Sequence, residues 1–79
     1  MVTIYWRPGC TYCTQLRWAL RMRRLHAEWI NIHDSEEAAA YVRSAAGGNE
    51  IVPTVVINGK GVVNPRPADV VAAIRAEAG

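Results

Sequence analysis

Two cysteines in the pattern Cys10-Thr11-Tyr12-Cys13 stand between an apolar stretch, residues 1–6, and a helical pattern that begins at Thr14. A C-x-x-C pair at a strand-to-helix junction, near the start of a βαβ unit, reads as a thiol–disulfide exchange site. The first N–H groups of a helix have no intrahelical partner and sum with the macrodipole to a partial positive charge. A sulfur held there is favoured as thiolate, the form that attacks disulfides. The spacing sets Cys13 about one helical turn from Cys10, close enough for the two sulfurs to bond. Arg7 adds a nearby cation, and Pro8-Gly9 a turn that can expose Cys10. Against this reading stand two others: a pair of buried, inert cysteines, or half of a metal site.

The segments around the pair follow from periodicity and punctuation. Val2-Thr3-Ile4-Tyr5-Trp6 is β-branched and aromatic, which suits a buried central strand, and Arg7-Pro8-Gly9 breaks it. From Cys13 to about Leu25, the apolar positions Leu16, Ala19 and Leu20, with Met22 near the end, keep helical spacing. His26-Ala27 ends that helix, and Glu28-Trp29-Ile30-Asn31-Ile32 alternates as a second strand. Two strands joined by one helix imply parallel pairing with a right-handed crossover. His33-Asp34-Ser35-Glu36-Glu37 is a helix start, with Asp34 or Ser35 as cap, and the helix runs through Ala38 to Ala46 on the apolar anchors Tyr41 and Val42 and stops at Gly47-Gly48-Asn49. Asn58-Gly59 between the apolar runs 51–57 and 62–63 predicts an antiparallel hairpin. Asn64-Pro65-Arg66-Pro67 then leads into a last helix with Val70, Val71 and Ile74 on its apolar face. The predicted class is α/β, in the order βαβαββα, with a four-stranded mixed sheet flanked by three helices in one domain spanning residues 1–79.

Composition narrows the setting. With 51% hydrophobic residues the chain can build a core, so disorder is not expected. Two cysteines cannot supply the framework of a disulfide-rich secreted domain, and no apolar run approaches a membrane span. No leader peptide is expected ahead of residue 1, and a reducing cytoplasm is the expected location. The net charge of +2 is mild, but Arg17, Arg21, Arg23 and Arg24 crowd one helix, with no acidic residue between Thr11 and Ala27. Arg17, Arg21 and Arg24 fall at i, i+4 and i+7 and share a face. A solvated face is the simplest account; a nucleic-acid footprint and a docking surface for acidic partners are the others. Trp6, Trp18 and Trp29 read as core or groove-rim residues, with Trp18 off the apolar stripe.

Pro53 opens an otherwise clean strand, where it lacks the N–H a ladder would use. Beside a C-x-x-C in a βαβ context, a cis Val52–Pro53 bond is expected, leaving a main-chain edge at Val52 for a peptide-like substrate beside Cys10.

Together these residues resemble the glutaredoxin branch of the thioredoxin fold over nearly the whole chain. Cys10-Thr11-Tyr12-Cys13 is similar to that family's C-P-Y-C, with threonine for proline, and Val52-Pro53 matches its cis-proline element. Gly47-Gly48-Asn49 ahead of Val52-Pro53-Thr54-Val55, and Val63-Asn64-Pro65 ahead of the last helix, resemble the mycoredoxins, which use mycothiol in place of glutathione. Where glutaredoxins carry a Gly-Gly and a polar pair for the γ-glutamyl end of glutathione, this chain reads Val63-Asn64-Pro65-Arg66. The family's T-V-P is Ile51-Val52-Pro53 here, which loses a hydroxyl. The Trp-Ser-Gly-Phe-Arg-Pro signature of redoxins that feed ribonucleotide reductase is absent, and Cys13 stands where the iron–sulfur-binding monothiol class usually has serine.

The resemblance implies a dithiol oxidoreductase with Cys10 as nucleophile and Cys13 as resolving residue. It implies mycothiol (or glutathione) as co-substrate, no metal, and a monomer. Its implied partners are S-thiolated or disulfide-bearing proteins and, in an alternative, a flavin disulfide reductase, with neither nucleic acid nor membrane. Arg7, Tyr12, Val52, Pro53 and Asn64 are the expected thiol-binding residues. An alternative of another class is a zinc module contacting nucleic acid, since Cys10, Cys13, His26 and His33 form C-x2-C-x12-H-x6-H. The histidine spacing exceeds the usual ~3–5 residues, and such a finger would end inside a strand.

Overall fold

The structure is a computed structural model describing residues 1–78; Gly79, the last residue of the expected domain, lies outside the described residues. Four strands form one mixed sheet in the order β2-β1-β3-β4. They are β1 at Thr3–Trp6, β2 at Glu28–Asn31, β3 at Thr54–Ile57 and β4 at Lys60–Val63. The helices are α1 at Thr11–Met22, α2 at Glu36–Ala45 and α3 at Pro67–Ala78. The order is the expected βαβαββα, and β1 is central, parallel to β2 (Ile4 opposite Trp29) and antiparallel to β3 (Ile4 opposite Val55). Asn58 and Gly59 turn the β3–β4 hairpin with φ of 51° and 79°, the left-handed pair that a tight hairpin turn demands.

Alternation along the strands divides the core into two layers. On one face Ile4 and Val55 pack with Leu16 and Leu20 of α1 and with Val70, Val71 and Ile74 of α3. On the other, Ala38, Ala39 and Val42 of α2 meet Ile32, Val52 and Cys13, with Tyr5 and Ile30 against them. The alanines let α2 lie close to the sheet: a Cβ at Gly61 of β4 would come 3.0 Å from both Ala45 Cβ and Tyr41 Oη. Tyr41 is therefore a half-buried ring stacked on Tyr5 at 5.1 Å rather than a core anchor equal to Val42, which is fully buried.

β1 starts at Thr3 rather than Val2 and α2 ends at Ala45 rather than Ala46, and the larger differences from the periodic reading have physical causes. α1 begins earlier, at Thr11, because Cys10 itself caps it. It ends earlier, at Met22, because Arg24 adopts φ 56°, the Arg24 N–H donates to Arg21 O at 3.0 Å and the Leu25 N–H to Leu20 O at 3.0 Å. That pair of bonds is a Schellman stop, built here on arginine where glycine is usual. Met22 is 74% exposed and takes no part in the core. β2 stops at Asn31, and a 3₁₀ turn, Ile32–Asp34, precedes α2, with Asn31 Oδ1 accepting from the His33 N–H at 2.9 Å. Of the two candidate caps for α2, Ser35 does the work, its Oγ accepting from the Ala38 N–H at 3.1 Å. β3 starts at Thr54 rather than Ile51, since the Val52–Pro53 bond is cis and turns the chain just before the ladder.

Candidate active site

The strand-to-helix junction builds the site. β1 ends at Trp6, Arg7-Pro8-Gly9 turns through a left-handed Gly9 (φ 81°), and the half-buried Cys10 occupies the N-cap of α1. Its backbone is extended, with φ −89° and ψ 112°, so its side chain folds over the open end of the helix. Cys10 Sγ accepts from the Cys13 N–H at 3.2 Å, where a capping hydroxyl or carboxylate would ordinarily sit. The N–H and hydroxyl of Thr14 both donate to Cys10 O, at 3.1 and 3.2 Å, and lock the first turn. The Cys10 thiol in turn donates to Val52 O at 3.5 Å.

Cys13 lies in a different environment. It is 3% exposed, packed with Ile32, Val42 and Val52 in the α2-side layer. Burial, then the hydrogen bond with Cys10, pushes its thiol from 9.0 up to about 12; the Arg7 main chain and the Arg7 charge act the other way and are outweighed. Both cysteines are free thiols. The pair thus offers one partly exposed cysteine and one buried one.

Two further segments close around the pair. Val52 is 8% exposed, with its side chain in the same layer as Cys13 and its carbonyl taken by the Cys10 thiol. Its main-chain N–H has no backbone partner among the described residues, so the donor half of the expected peptide-pairing edge is open. Pro53 O accepts from the Asn64 N–H at 2.8 Å, and Asn64 itself is left-handed at φ 46°. That bond extends the β3–β4 hairpin by one rung and ties the exposed Asn64 to the proline that follows Val52. Arg7 joins at Cys13 through its main chain and its charge, while the Tyr12 side chain, in the first turn of α1, is 60% exposed. Thr54 was not singled out by sequence reasoning. It is fully buried, and its hydroxyl donates to Ile51 O at 2.7 Å, fastening the turn that carries Val52 and Pro53. A threonine directly after the proline was the available signal.

The zinc alternative is not assembled. His26 follows the end of α1, whose 12 residues place it about 18 Å along the axis from the cysteine end. His33 is exposed on the 3₁₀ turn. Among the described residues, no three His, Cys, Asp or Glu side chains gather as a metal site. Nor is any helix among them long and apolar enough to cross a membrane.

Comparisons with known proteins point the same way as the geometry. The glutaredoxin family model matches residues 2–62. Mycoredoxin 1 of Corynebacterium glutamicum is 40% identical over 76 residues, covering 95% of this chain and 94% of that protein. The structure of the glutaredoxin-like protein NrdH-redoxin from Escherichia coli superposes with a TM-score of 0.73 at 30% identity, over 90% of this chain and 91% of that one. A glutaredoxin of Archaeoglobus fulgidus gives 0.70 at 26% identity, over 94% and 85% of the two chains. A thioredoxin-like sheet, a C-x-x-C pair at a helix start and a cis proline facing it are all in place. The chain belongs to the glutaredoxin family of thiol–disulfide oxidoreductases.

Proposed function

We propose that the protein reduces mixed disulfides between proteins and a small thiol, with mycothiol as that thiol, Cys10 as the attacking sulfur and Cys13 as the resolving one. The observation that carries the assignment of roles is the unequal exposure of the two sulfurs. Cys10 as thiolate attacks the small-thiol sulfur of a protein mixed disulfide; the protein sulfur leaves, takes up a proton and is reduced, and Cys10 now bears the small thiol. A second small-thiol thiolate then attacks that bound sulfur, forming the small-thiol disulfide and freeing Cys10. In the other branch Cys13 loses its proton and attacks Cys10, which forms the Cys10–Cys13 disulfide and expels the small thiol. The hydrogen bond from the Cys13 N–H to Cys10 Sγ, at 3.2 Å, keeps the two residues together at the helix start for this second branch. Burial of Cys13 makes it the slower branch wherever small thiol is abundant.

The choice of mycothiol is supported by the 40% identity with Mycoredoxin 1 and by Val63-Asn64-Pro65, which stands where a glutathione-binding Gly-Gly is usual. In this reading Asn64, tied to Pro53 by its N–H, contacts the small thiol, together with Arg7 and Tyr12 on either side of Cys10 in the chain. The likeness to NrdH-redoxin favours one second reading, reduction by a flavin disulfide reductase. The deciding experiment presents the reduced protein with one model substrate linked either to mycothiol or to glutathione and follows thiol release. A clear mycothiol preference is expected. Equal or glutathione-favouring rates overturn the cofactor assignment, and turnover only with a reductase moves the protein to the second reading.

A further inference from the structure

The solvent side of α1 carries groups that neither the core nor the cysteine chemistry uses. Trp18 and Met22, one turn apart, are 59% and 74% exposed, beside a groove of about 640 Å³. Uncovered tryptophan and methionine this close together form an apolar patch of the kind that marks contact surfaces. On the adjoining strip stand Arg17, Arg21 and Arg24, edging a second groove of about 370 Å³ that Trp29 also lines. None of the three makes an ion pair among the described residues, whereas Arg43 and Arg66 each hold a carboxylate. Arg17 is held in place, its guanidinium carbon 4.9 Å from the Trp6 ring centre and 4.4 Å from that of Trp29. A guanidinium fixed between two rings loses little side-chain freedom on meeting a carboxylate.

We propose that this face of α1 docks a partner protein through an acidic segment bearing an apolar side chain. Trp18 and Met22 receive the apolar group, and Arg17, Arg21 and Arg24 the carboxylates. The partner is the protein whose disulfide Cys10 attacks, a step that rests on the function proposed above. Three observations favour a protein over a nucleic acid. The net charge is only +2, too small to hold a long polyanion. The basic strip is short: Arg17 and Arg21 are one helical turn apart, about 6 Å, and Arg24, which the helical spacing would have put on the same row, lies in the turn that ends α1. The two rings beside it are engaged by Arg17 rather than free to stack on bases. Tryptophan bordered by arginine is also the composition of protein-interface hot spots. Because Cys10 caps α1, Arg17 and Arg21 stand about 10 and 16 Å along its axis from that residue, with Arg24 in the turn beyond the helix end, a reach of about three to five extended residues of the partner to the first two.

Two peptides test this. Each carries one cysteine as a mixed disulfide with mycothiol (a parallel set uses glutathione), a short spacer, then a leucine flanked by glutamates or, in the control, by glutamines. At low salt the acidic peptide is expected to react with a kcat/KM about tenfold higher than the neutral one, mainly through KM, and to lose that advantage as salt rises. Arg21→Gln with Arg24→Gln should cut the advantage at least ~threefold and leave the neutral peptide unchanged; Arg17 stays intact because it packs on two rings. Trp18→Ala should slow both peptides, which share the leucine. A cysteine-free acidic peptide, titrated against tryptophan fluorescence, reads docking without turnover. Saturable, salt-sensitive binding that weakens in the double variant supports the docking face, even if neither disulfide peptide is reduced, in which case only the reading of function fails. Equal rates for the two peptides together with no fluorescence change overturn it. Tighter binding of a single-stranded oligonucleotide or of anionic phospholipid vesicles than of the acidic peptide overturns the choice of a protein partner.

Discussion

At neutral pH the buried Cys13 thiol holds its proton, because its titration is pushed up to about 12. Only the thiolate is nucleophilic, so iodoacetamide added to the folded, reduced protein should label Cys10 well before Cys13. Peptide mapping by mass spectrometry reads this, and equal labelling would contradict the division of roles. Cys10→Ser should lower reduction of small-thiol mixed disulfides on the order of a thousandfold or more, whereas Cys13→Ser should leave it largely intact. The same proton links to stability. Below pH 9.0 the thiol is protonated in both the folded and the unfolded chain, and its contribution is constant. Between 9.0 and about 12 the unfolded chain releases the proton first, so stability falls as pH rises through that window. Denaturant midpoints of the reduced protein should therefore fall more steeply with alkalinity than those of Cys13→Ala; parallel curves would remove the burial argument. At this scale the cysteine pair and Pro53 were legible because each is unusual in itself. Thr54 was not, because a buried threonine hydroxyl, bonded to Ile51 O, looks in sequence like any strand threonine.

Elements were legible where their ends carry their usual residues. Ser35 before Glu36-Glu37, Gly47-Gly48 after α2, Asn58-Gly59 in the hairpin and Pro67 at the start of α3 all act as their types predict. The end of α1 does not, because its left-handed stop is Arg24. A side chain at that φ costs free energy that glycine avoids, so Arg24→Gly should raise stability by about 0.5–1 kcal/mol in denaturant unfolding. Gly61 tests the opposite case. Its missing side chain is what lets α2 approach β4, and Gly61→Ala should cost about 1–3 kcal/mol, since the Ala45 methyl at 3.0 Å is carried on backbone and cannot swing away. A sequence shows a glycine in a strand but not which helix will lie across it.

Across the whole molecule, α1 joins the core to the site and to the outer surface. Its inner side gives Leu16 and Leu20 to the sheet, its first turn holds the sulfurs, and its outer side carries the exposed tryptophan and arginines. Leu16→Ala should cost about 2–5 kcal/mol by leaving a cavity between α1, α3 and the central strand, a loss that thermal unfolding would register. The class, the order βαβαββα, the hairpin and the reacting pair are legible from residues alone, because each depends on neighbours within one or two turns of chain. The remainder comes from contacts between segments far apart in the chain. Cys13 becomes the protected sulfur because α2 and Val52 close over it. Arg17 is held because strands β1 and β2 each supply a tryptophan ring to it. In each case the deciding quantity is burial or a contact between distant segments, and local pattern carries no record of either.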